Sequence, residues 1–356
     1  MDWDPVRAVL HWGRDERVFP GGVVEVGSTA GPLWVHATGR LTYDADAPAV
    51  TPETVYDLAS LTKVLATAAA AARLVDAGRL DLATPVGAFV PEWAGSDRQA
   101  VTVSDLLEHA SGLPAWLPLY RTCRGREAFV SAICRTPLDY RPRTRSLYSD
   151  LGFILLGTIL EAVSGAGLDD AARLIWTEMG RGVSAGLAFQ PPVAWLPQTA
   201  PTSREDERGD IARGSVDDTN AWAMGGVAGH AGMFGTAAGV GAFARSMLSA
   251  LKGGAAHAPF VSRDVLRRFT SRGTVPGSTR ALGWDTMERS SSCGTRLSHE
   301  AVGHTGFTGT SLWIDPALDV YVVLLTNRVH PRALGNEGIQ AVRRAAHDAV
   351  ADVLCP

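Results

Sequence analysis

Apolar and polar residues follow different patterns in different parts of this 356-residue chain. Apolar residues recur at helical spacing from residue 4 to 17, and two short β-like runs, 23–26 and 33–37, predict a hairpin. An alanine-rich helical run extends from Ser60 to about Ala77, with Gly78 as its expected C-cap. The N-terminal segment is therefore predicted to hold one helix, one hairpin and a buried helix that begins at Ser60.

Strand patterns become sparse between about residues 81 and 280. Helical patterns fill most of this segment, at 103–108 (with Ser104 as N-cap), 129–135, 151–163, 169–179 and 239–251. The stretch 190–220 is rich in Pro, Arg and Asp and predicts a long surface loop. Loops of this length inside a compact domain are usually active-site lids or ligand-binding loops. Within it, the Arg-rich part 203–213 is most simply interpreted as solvated surface.

The β pattern returns after Leu282. Runs at 301–305, 310–314 and 320–325 predict consecutive strands, and 338–354 predicts a C-terminal helix with one apolar side. Because strands stand at both ends of the chain, we expect the two ends to pair in one antiparallel sheet. The fold class is thus α+β, with a discontinuous α/β domain over 1–80 plus 281–356 and a mainly helical domain over 81–280.

Composition and charge narrow the function. A hydrophobic content of 46% with 20% charged residues describes a soluble globular protein, and a net charge of -4 argues against a nucleic-acid partner. No apolar run is long enough to span a membrane, and the acidic N-terminus lacks the apolar core of a secretory signal, so a cytoplasmic location is predicted. No metal or cofactor site is indicated. The cysteines lack metal-ligand spacing and are expected to be free thiols: Cys123, Cys134, Cys293 and Cys355.

The strongest chemical signal lies in residues 56–67, YDLASLTKVLAT. If Ser60 opens the helix, Lys63 lies one turn later on the same face, and its amine can reach the Ser60 hydroxyl. This Ser-x-x-Lys spacing occurs among known catalytic motifs. Lys63 and Lys252 are the only lysines in the chain, and lysine, unlike arginine, can give up its proton and act as a base. The alternative is a helix-capping serine followed by a surface lysine.

Two later motifs stand in a familiar order. Tyr148-Ser149-Asp150 precedes a buried helical run, and His304-Thr305-Gly306 lies on a predicted C-terminal strand. Together with Ser60 and Lys63 they resemble the serine β-lactamase and penicillin-binding-protein superfamily, nearest its class C-like branch with the family VIII esterases and a Y-S-D subgroup. Further matches, over nearly the whole chain, are LEHASGLP at 107–114, GGVAGHAGMF at 225–234 and GHTGFTGTSLWIDP at 303–316.

The resemblance implies a sheet flanked by helices, a mainly helical second domain, and an active site in the groove between them. Ser60 would attack a carbonyl and form an acyl-enzyme, with oxyanion donors at the backbone N–H groups of Ser60 and Phe307. Tyr148 would share with Lys63 the proton taken from Ser60, because an ammonium group favours a nearby phenolate. The alternative for Tyr148 is a core tyrosine with a satisfied hydroxyl.

Two positions depart from the commoner family pattern. Asp150 stands where Asn is usual, and an ionised Asp cannot donate to a substrate carbonyl, whereas it would favour the ammonium of Lys63 and shift the base role to Tyr148. His304 stands where many relatives carry Lys, beside Thr305 and Gly306 of the same motif. A mostly neutral imidazole binds a carboxylate weakly, which favours neutral ester-like substrates, although some penicillin-interacting relatives also carry His.

We therefore expect a serine hydrolase that acts on small esters or amides through Ser60. D-alanyl-D-alanine carboxypeptidase, β-lactamase and acyltransferase activities use the same machinery and stay open. The absent export signal counts against the carboxypeptidase and β-lactamase activities, because their substrates lie outside the cytoplasm. A non-catalytic ligand-binding protein on this fold is the alternative of another class. The expected partner is a small-molecule acyl substrate, without nucleic acid or membrane, and the oligomeric state stays open. His109 and His230 lie in glycine-flanked turns and are expected to be structural.

Overall fold

The computed structural model describes residues 1–203, 211–254, 260–332 and 335–354. Cys355 and residues 204–210 of the predicted solvated stretch lie outside them. A six-stranded antiparallel sheet, in the order β2-β1-β9-β8-β7-β6, forms the framework. Its strands are β1 (Gly21–Ser28), β2 (Gly31–Gly39), β6 (Asp285–Thr286), β7 (Val302–Thr305), β8 (Ser311–Asp315) and β9 (Val320–Thr326). Because β1 pairs with β9, the two ends of the chain meet in one sheet, as the sequence pattern predicts.

The described residues hold eleven α-helices. They are α1 (Asp4–Asp15), α2 (Ala69–Asp76), α3 (Val103–Leu107), α4 (Arg126–Arg135), α5 (Asp150–Ser164), α6 (Leu168–Met179), α7 (Arg181–Gly186), α8 (Thr219–Ala223), α9 (Ala237–Lys252), α10 (Arg263–Thr270) and α11 (Glu337–Leu354). Successive side chains of β9 point to opposite faces of the sheet. Val322 and Leu324 join the apolar cluster under α1 and α11, whereas Val323 and Leu325 join the larger cluster that includes α9. The α+β fold class is confirmed.

The division into two domains remains a proposal. The described residues of 81–280 are mainly helical, yet α9, which belongs to that range, packs on β1, β8 and β9. A Cβ added at Gly241 of α9 would collide with the side chains of Glu25 and Tyr321, which shows how closely α9 approaches the sheet.

The predicted helix at Ser60 is three successive local structures. A 3₁₀ turn at Ala59–Leu61 is followed by a π-helical stretch at Lys63–Ala68 and then by α2. Ala77 occupies the C-cap, and Gly78 follows it with a positive φ of 66°. The π-helical stretch widens the backbone immediately after Lys63, and π-helical turns of this kind recur at functional sites.

Two local features differ from what the sequence pattern predicts. The N-cap of α3 is Thr102 and not Ser104, because Thr102 and Asp105 form a reciprocal capping box. A small second sheet, β3-β5-β4, also escaped prediction. Its strands, β3 (Tyr56–Asp57), β4 (Leu187–Phe189) and β5 (Met233–Gly235), are too short to leave a periodic pattern.

The described parts of the 190–220 loop combine an exposed stretch, 192–194, with buried residues. Thr199, Ala200 and Val216 are buried, and the backbone of Val55 bonds to Gln198 and Ala200. This loop therefore lies against the segment that leads into Ser60.

Cys123, Cys134 and Cys293 are buried free thiols. Among the described residues no single helix has both the length and the apolarity to cross a membrane, and one bent pair, α5 with α6 at 74°, meets that criterion by length and composition alone.

Candidate active site

Ser60 stands in the 3₁₀ turn directly after a residue with unusual backbone geometry. Ala59 has a φ of 46°, in the left-handed region that non-glycine residues rarely adopt. Its N–H donates to a carboxylate oxygen of Asp57 at 2.8 Å, and its carbonyl accepts from Thr62 Oγ1 at 2.6 Å. These two hydrogen bonds fix the turn, so Ser60 lies on a rigid segment.

Lys63 is fully buried behind Ser60 and has three acceptors for its three N–H bonds. Lys63 Nζ lies 2.9 Å from Ser60 Oγ, 2.7 Å from Asp150 Oδ1 and 3.0 Å from the His230 carbonyl oxygen. Burial disfavours the ammonium, but the Asp150 carboxylate and Tyr148 outweigh it, so the pKa of Lys63 is raised. Lys63 is thus an ammonium that donates to Ser60 Oγ.

Tyr148 lies on the cavity side of Lys63. The centroid of its ring lies 4.8 Å from Lys63 Nζ and 4.6 Å from the centroid of the His109 ring. Burial raises the pKa of Tyr148, and this outweighs the lowering by the Lys63 charge and by hydrogen bonds to Lys63 and Ser60. The ammonium thus favours the phenolate as expected, but burial, which the sequence does not reveal, is the larger effect. The resting site holds a neutral phenol beside an ammonium.

The His304-Thr305-Gly306 strand end lies against the Ser60 turn. Thr308 Oγ1 donates to the Asp57 carbonyl at 2.7 Å and Thr310 Oγ1 to the Leu58 carbonyl at 3.1 Å. On the other side of the strand end, Arg343 Nη2 donates to the Gly306 and Thr310 carbonyls, each at 2.8 Å. These bonds fix the turn that carries Phe307 relative to the turn that carries Ser60.

Phe307 projects its ring toward the cavity and is 54% exposed. Its backbone N–H has no acceptor among the described residues. A free N–H on a rigid turn beside the Ser60 segment is what an oxyanion donor requires.

His304 is buried, and its Nδ1 donates to the Thr305 carbonyl at 2.8 Å, which leaves Nε2 as the acceptor nitrogen. Burial, and then the nearby Arg280 and Lys63 cations, hold the pKa of His304 well below its ordinary value. His304 is therefore neutral near pH 7 and supplies no positive charge.

Arg280 brings a cation to the same place. It lines the cavity, its guanidinium carbon lies 5.3 Å from the centroid of the Tyr148 ring, and no carboxylate of the described residues forms an ion pair with it. The sequence pattern did not single out Arg280, because it comes from a loop without any motif.

These residues surround a cavity of about 680 Å³. Seven of the eight predicted site residues line it, and Lys63 lies behind them: Ser60, Tyr148, Asp150, His304, Thr305, Gly306 and Phe307. Sequence reasoning missed further lining residues, which are Trp116, Asp217, Asp218, Arg280 and Arg343. Their positions depend on loops and on α11, and only the folded chain brings them to the site.

The two histidines expected to be structural lie just outside the cavity. His109 Nδ1 accepts from the Ser149 N–H at 3.0 Å, and its ring packs on Tyr148 and Phe153. His230 Nε2 lies 2.8 Å from Asp218 Oδ1, and its carbonyl receives Lys63. Both hold other site residues in place, and a structural role stays the prediction for each.

Comparison with known proteins identifies the family of the chain. The Beta-lactamase family profile matches residues 6–347. An N-acetylmuramyl-L-alanine amidase of Bacillus subtilis (strain 168) is 31% identical, over 80% of this chain and 70% of its own. A putative D-alanyl-D-alanine carboxypeptidase of Escherichia coli (strain K12) is also 31% identical, over 79% and 70%.

Solved structures share the fold. A class C β-lactamase from Rhodobacter sphaeroides superposes with a TM-score of 0.78 at 21% identity, covering 99% of this chain and 100% of its own. EstCE1, a hydrolase with promiscuous acyltransferase activity, gives 0.76 at 20% identity and 98% of each chain. Fold and relatives together define the class as that of the serine hydrolases. The chain belongs to the Beta-lactamase family, as its motifs predict.

One prediction concerns the Asp150 carboxylate, which raises the pKa of both Lys63 and Tyr148. Asp150→Asn removes that charge, so the Lys63–Tyr148 pair loses its proton at lower pH. We expect the limb over which kcat/KM rises with pH, as the pair loses its proton, to move to lower pH. Asp46→Asn, at an exposed position, is the control. An unmoved limb in Asp150→Asn would show that Asp150 does not set the charge state of the pair.

Proposed function

We propose that this serine hydrolase cleaves small esters or amides through an acyl-enzyme on Ser60, with Lys63 and Tyr148 as its proton-transfer partners. The observation that carries the proposal is the 2.9 Å contact between Lys63 Nζ and Ser60 Oγ inside a closed network with Asp150. A nucleophile within hydrogen-bond reach of a titratable partner, which is oriented by a third group, is the arrangement that covalent catalysis needs. The cavity volume suits a small-molecule acyl substrate.

The proton balance follows from the charges of the resting site. The Lys63–Tyr148 pair first loses one proton. As Ser60 Oγ bonds to the substrate carbonyl carbon, its proton passes to the pair, and the N–H groups of Ser60 and Phe307 receive the developing oxyanion. The tetrahedral intermediate then collapses, the pair protonates the leaving oxygen or nitrogen, and the acyl-enzyme remains. Water repeats the sequence on the acyl-enzyme and releases the acid.

The first test is a substrate panel of short p-nitrophenyl esters, a penicillin and a D-alanyl-D-alanine peptide, with wild type and Ser60→Ala. We expect ester turnover by the wild type and none above background by Ser60→Ala. Turnover that survives Ser60→Ala would overturn the proposal. If no reagent is turned over by the wild type, the ligand-binding alternative on this fold is favoured instead.

A second candidate function is supported by Arg280. The neutral His304 gives no charge to a substrate carboxylate, which favours neutral esters. The guanidinium of Arg280, which no carboxylate of the described residues pairs with, stands in the same cavity. Arginine matches a carboxylate with two parallel N–H donors. This favours hydrolysis of acyl substrates whose leaving group ends in a carboxylate, the class to which D-alanyl-D-alanine peptides belong.

Arg280→Gln separates the two candidates. For two depsipeptide esters that differ only in a free or methylated terminal carboxylate, we expect kcat/KM to fall about 10- to 100-fold for the free acid and to change little for the methyl ester. Arg289→Gln, at an exposed position that does not line this cavity, is the matched control. Equal losses on both esters would assign Arg280 to the support of Tyr148 and remove the argument for anionic substrates.

A further inference from the structure

Asp57, three residues before Ser60, has a buried carboxylate with both oxygens occupied. One oxygen accepts the Ala59 N–H at 2.8 Å, and the other accepts the Asp217 N–H at 2.6 Å. A carboxylate that accepts two backbone N–H groups holds two chain segments at a fixed distance, because each bond is charge-assisted.

Both segments line the cavity. Ala59 carries the strained φ of 46° that presents Ser60, and the bond from its N–H is local, of the kind that stabilises such turns. Asp217 belongs to the loop before α8 that forms part of the cavity wall, where its own carboxylate accepts the Ser203 N–H and hydroxyl. The Asp57 carboxylate therefore connects the turn that carries Ser60 directly to the Asp217 loop, the part of the cavity wall called the Asp217 wall below.

The ionised carboxylate serves both segments best. In a protonated carboxyl one oxygen stays a carbonyl acceptor, and the other becomes a hydroxyl, which is a much weaker acceptor for an N–H group and carries a proton of its own. The charged groups that face Asp57 are Asp217 and Asp218; His230 pairs with Asp218, and Arg328 interacts with Asp217. Burial, followed by the Asp217 carboxylate, raises the pKa of Asp57 to about 7, although the two N–H groups oppose the rise.

We propose that Asp57 is a positioning residue whose ionised carboxylate holds the Ser60 turn and the Asp217 wall in the active arrangement, and whose protonation releases one of them. The site thereby carries its own acid-sensitive control, separate from the Lys63–Tyr148 pair. This inference rests on the proposed acyl-enzyme chemistry at Ser60.

The test is the pH profile of kcat/KM with a neutral p-nitrophenyl ester, from about pH 5 to about pH 9, for wild type, Asp57→Asn and Asp217→Asn. Asp57→Asn keeps the shape but offers one acceptor and one donor, as the protonated acid does. We expect it to be about 10- to 100-fold slower at high pH and to lack the wild-type limb centred near pH 7. Asp217→Asn removes a carboxylate that raises the pKa of Asp57, so its limb should move to lower pH.

A fluorophosphonate adduct on Ser60, located by peptide mapping, is recorded in parallel. If the wild type forms the adduct but Asp57→Asn keeps the limb at its wild-type position, this inference fails and the Ser60 chemistry stands. If the wild type forms no adduct on Ser60 at any pH, both fail. Should Asp57→Asn not fold, Asp217→Asn still decides, because a limb that stays at the wild-type midpoint in that variant contradicts the role of Asp57.

Discussion

Replacing Lys63 by methionine is expected to lower kcat/KM for a p-nitrophenyl ester by about 10³-fold or more. Lys63 Nζ is the atom that joins Ser60 Oγ to Asp150, at 2.9 and 2.7 Å, and it is fully buried. Methionine fills a similar volume without any donor or titratable proton, so Ser60 would keep its place and lose its proton-transfer partner. Steady-state kinetics and thermal unfolding of the same preparations measure the two effects separately.

Two further variants make this prediction specific. Lys63→Met leaves Asp150 without its cation, which is itself destabilising, and Lys63→Met/Asp150→Asn should recover stability without recovering activity. Lys252→Met is the matched control, because the only other lysine pairs with Asp319 away from this cavity and should tolerate the change. A Lys63→Met enzyme within tenfold of wild type would contradict the assigned role.

Gly306→Ala is expected to abolish most activity while the fold is retained. A Cβ at residue 306 would lie 2.6 Å from the Leu58 carbonyl oxygen and would also overlap Thr310 Oγ1. Thr310 can rotate, but the Leu58 backbone cannot move without moving Ser60. We expect a stability loss of about 1–3 kcal/mol from overpacking. A fall in kcat of about 10²- to 10³-fold should accompany it, because the Phe307 N–H leaves its position.

The measurement is kcat beside a denaturant unfolding curve. Gly182→Ala is the control, since its added Cβ would only touch the Ala242 Cβ at 3.4 Å, an ordinary contact. Full activity in Gly306→Ala would show that the contact between the two turns does not set the oxyanion geometry.

Several features of the site were predictable because they are local in sequence. The three-residue spacing of Ser60 and Lys63 places both on one side of a helical turn whether that turn is 3₁₀ or α, so the predicted contact holds although Ser60 lies in a 3₁₀ turn. The pairing of the chain ends followed from where strand patterns occur, and β1 does pair with β9.

Other features were not predictable, because they depend on burial or on contacts between distant segments. The net pKa direction of Tyr148 follows from how deeply the folded chain buries it, and no spacing rule contains that quantity. Arg280 reaches the site from a loop before β6, and Asp57 acquires its second partner, Asp217, from 160 residues away. In each case the sequence shows the residue but not its neighbour.

The most direct test of the central claim is intact-mass spectrometry of wild type and Ser60→Ala after brief exposure to a p-nitrophenyl ester at alkaline pH and a rapid acid quench, followed by peptide mapping. The claim predicts that the wild type gains the mass of one acyl group, that the group maps to Ser60, and that Ser60→Ala gains none. An acyl group on any other residue, or one that persists in Ser60→Ala, would contradict it.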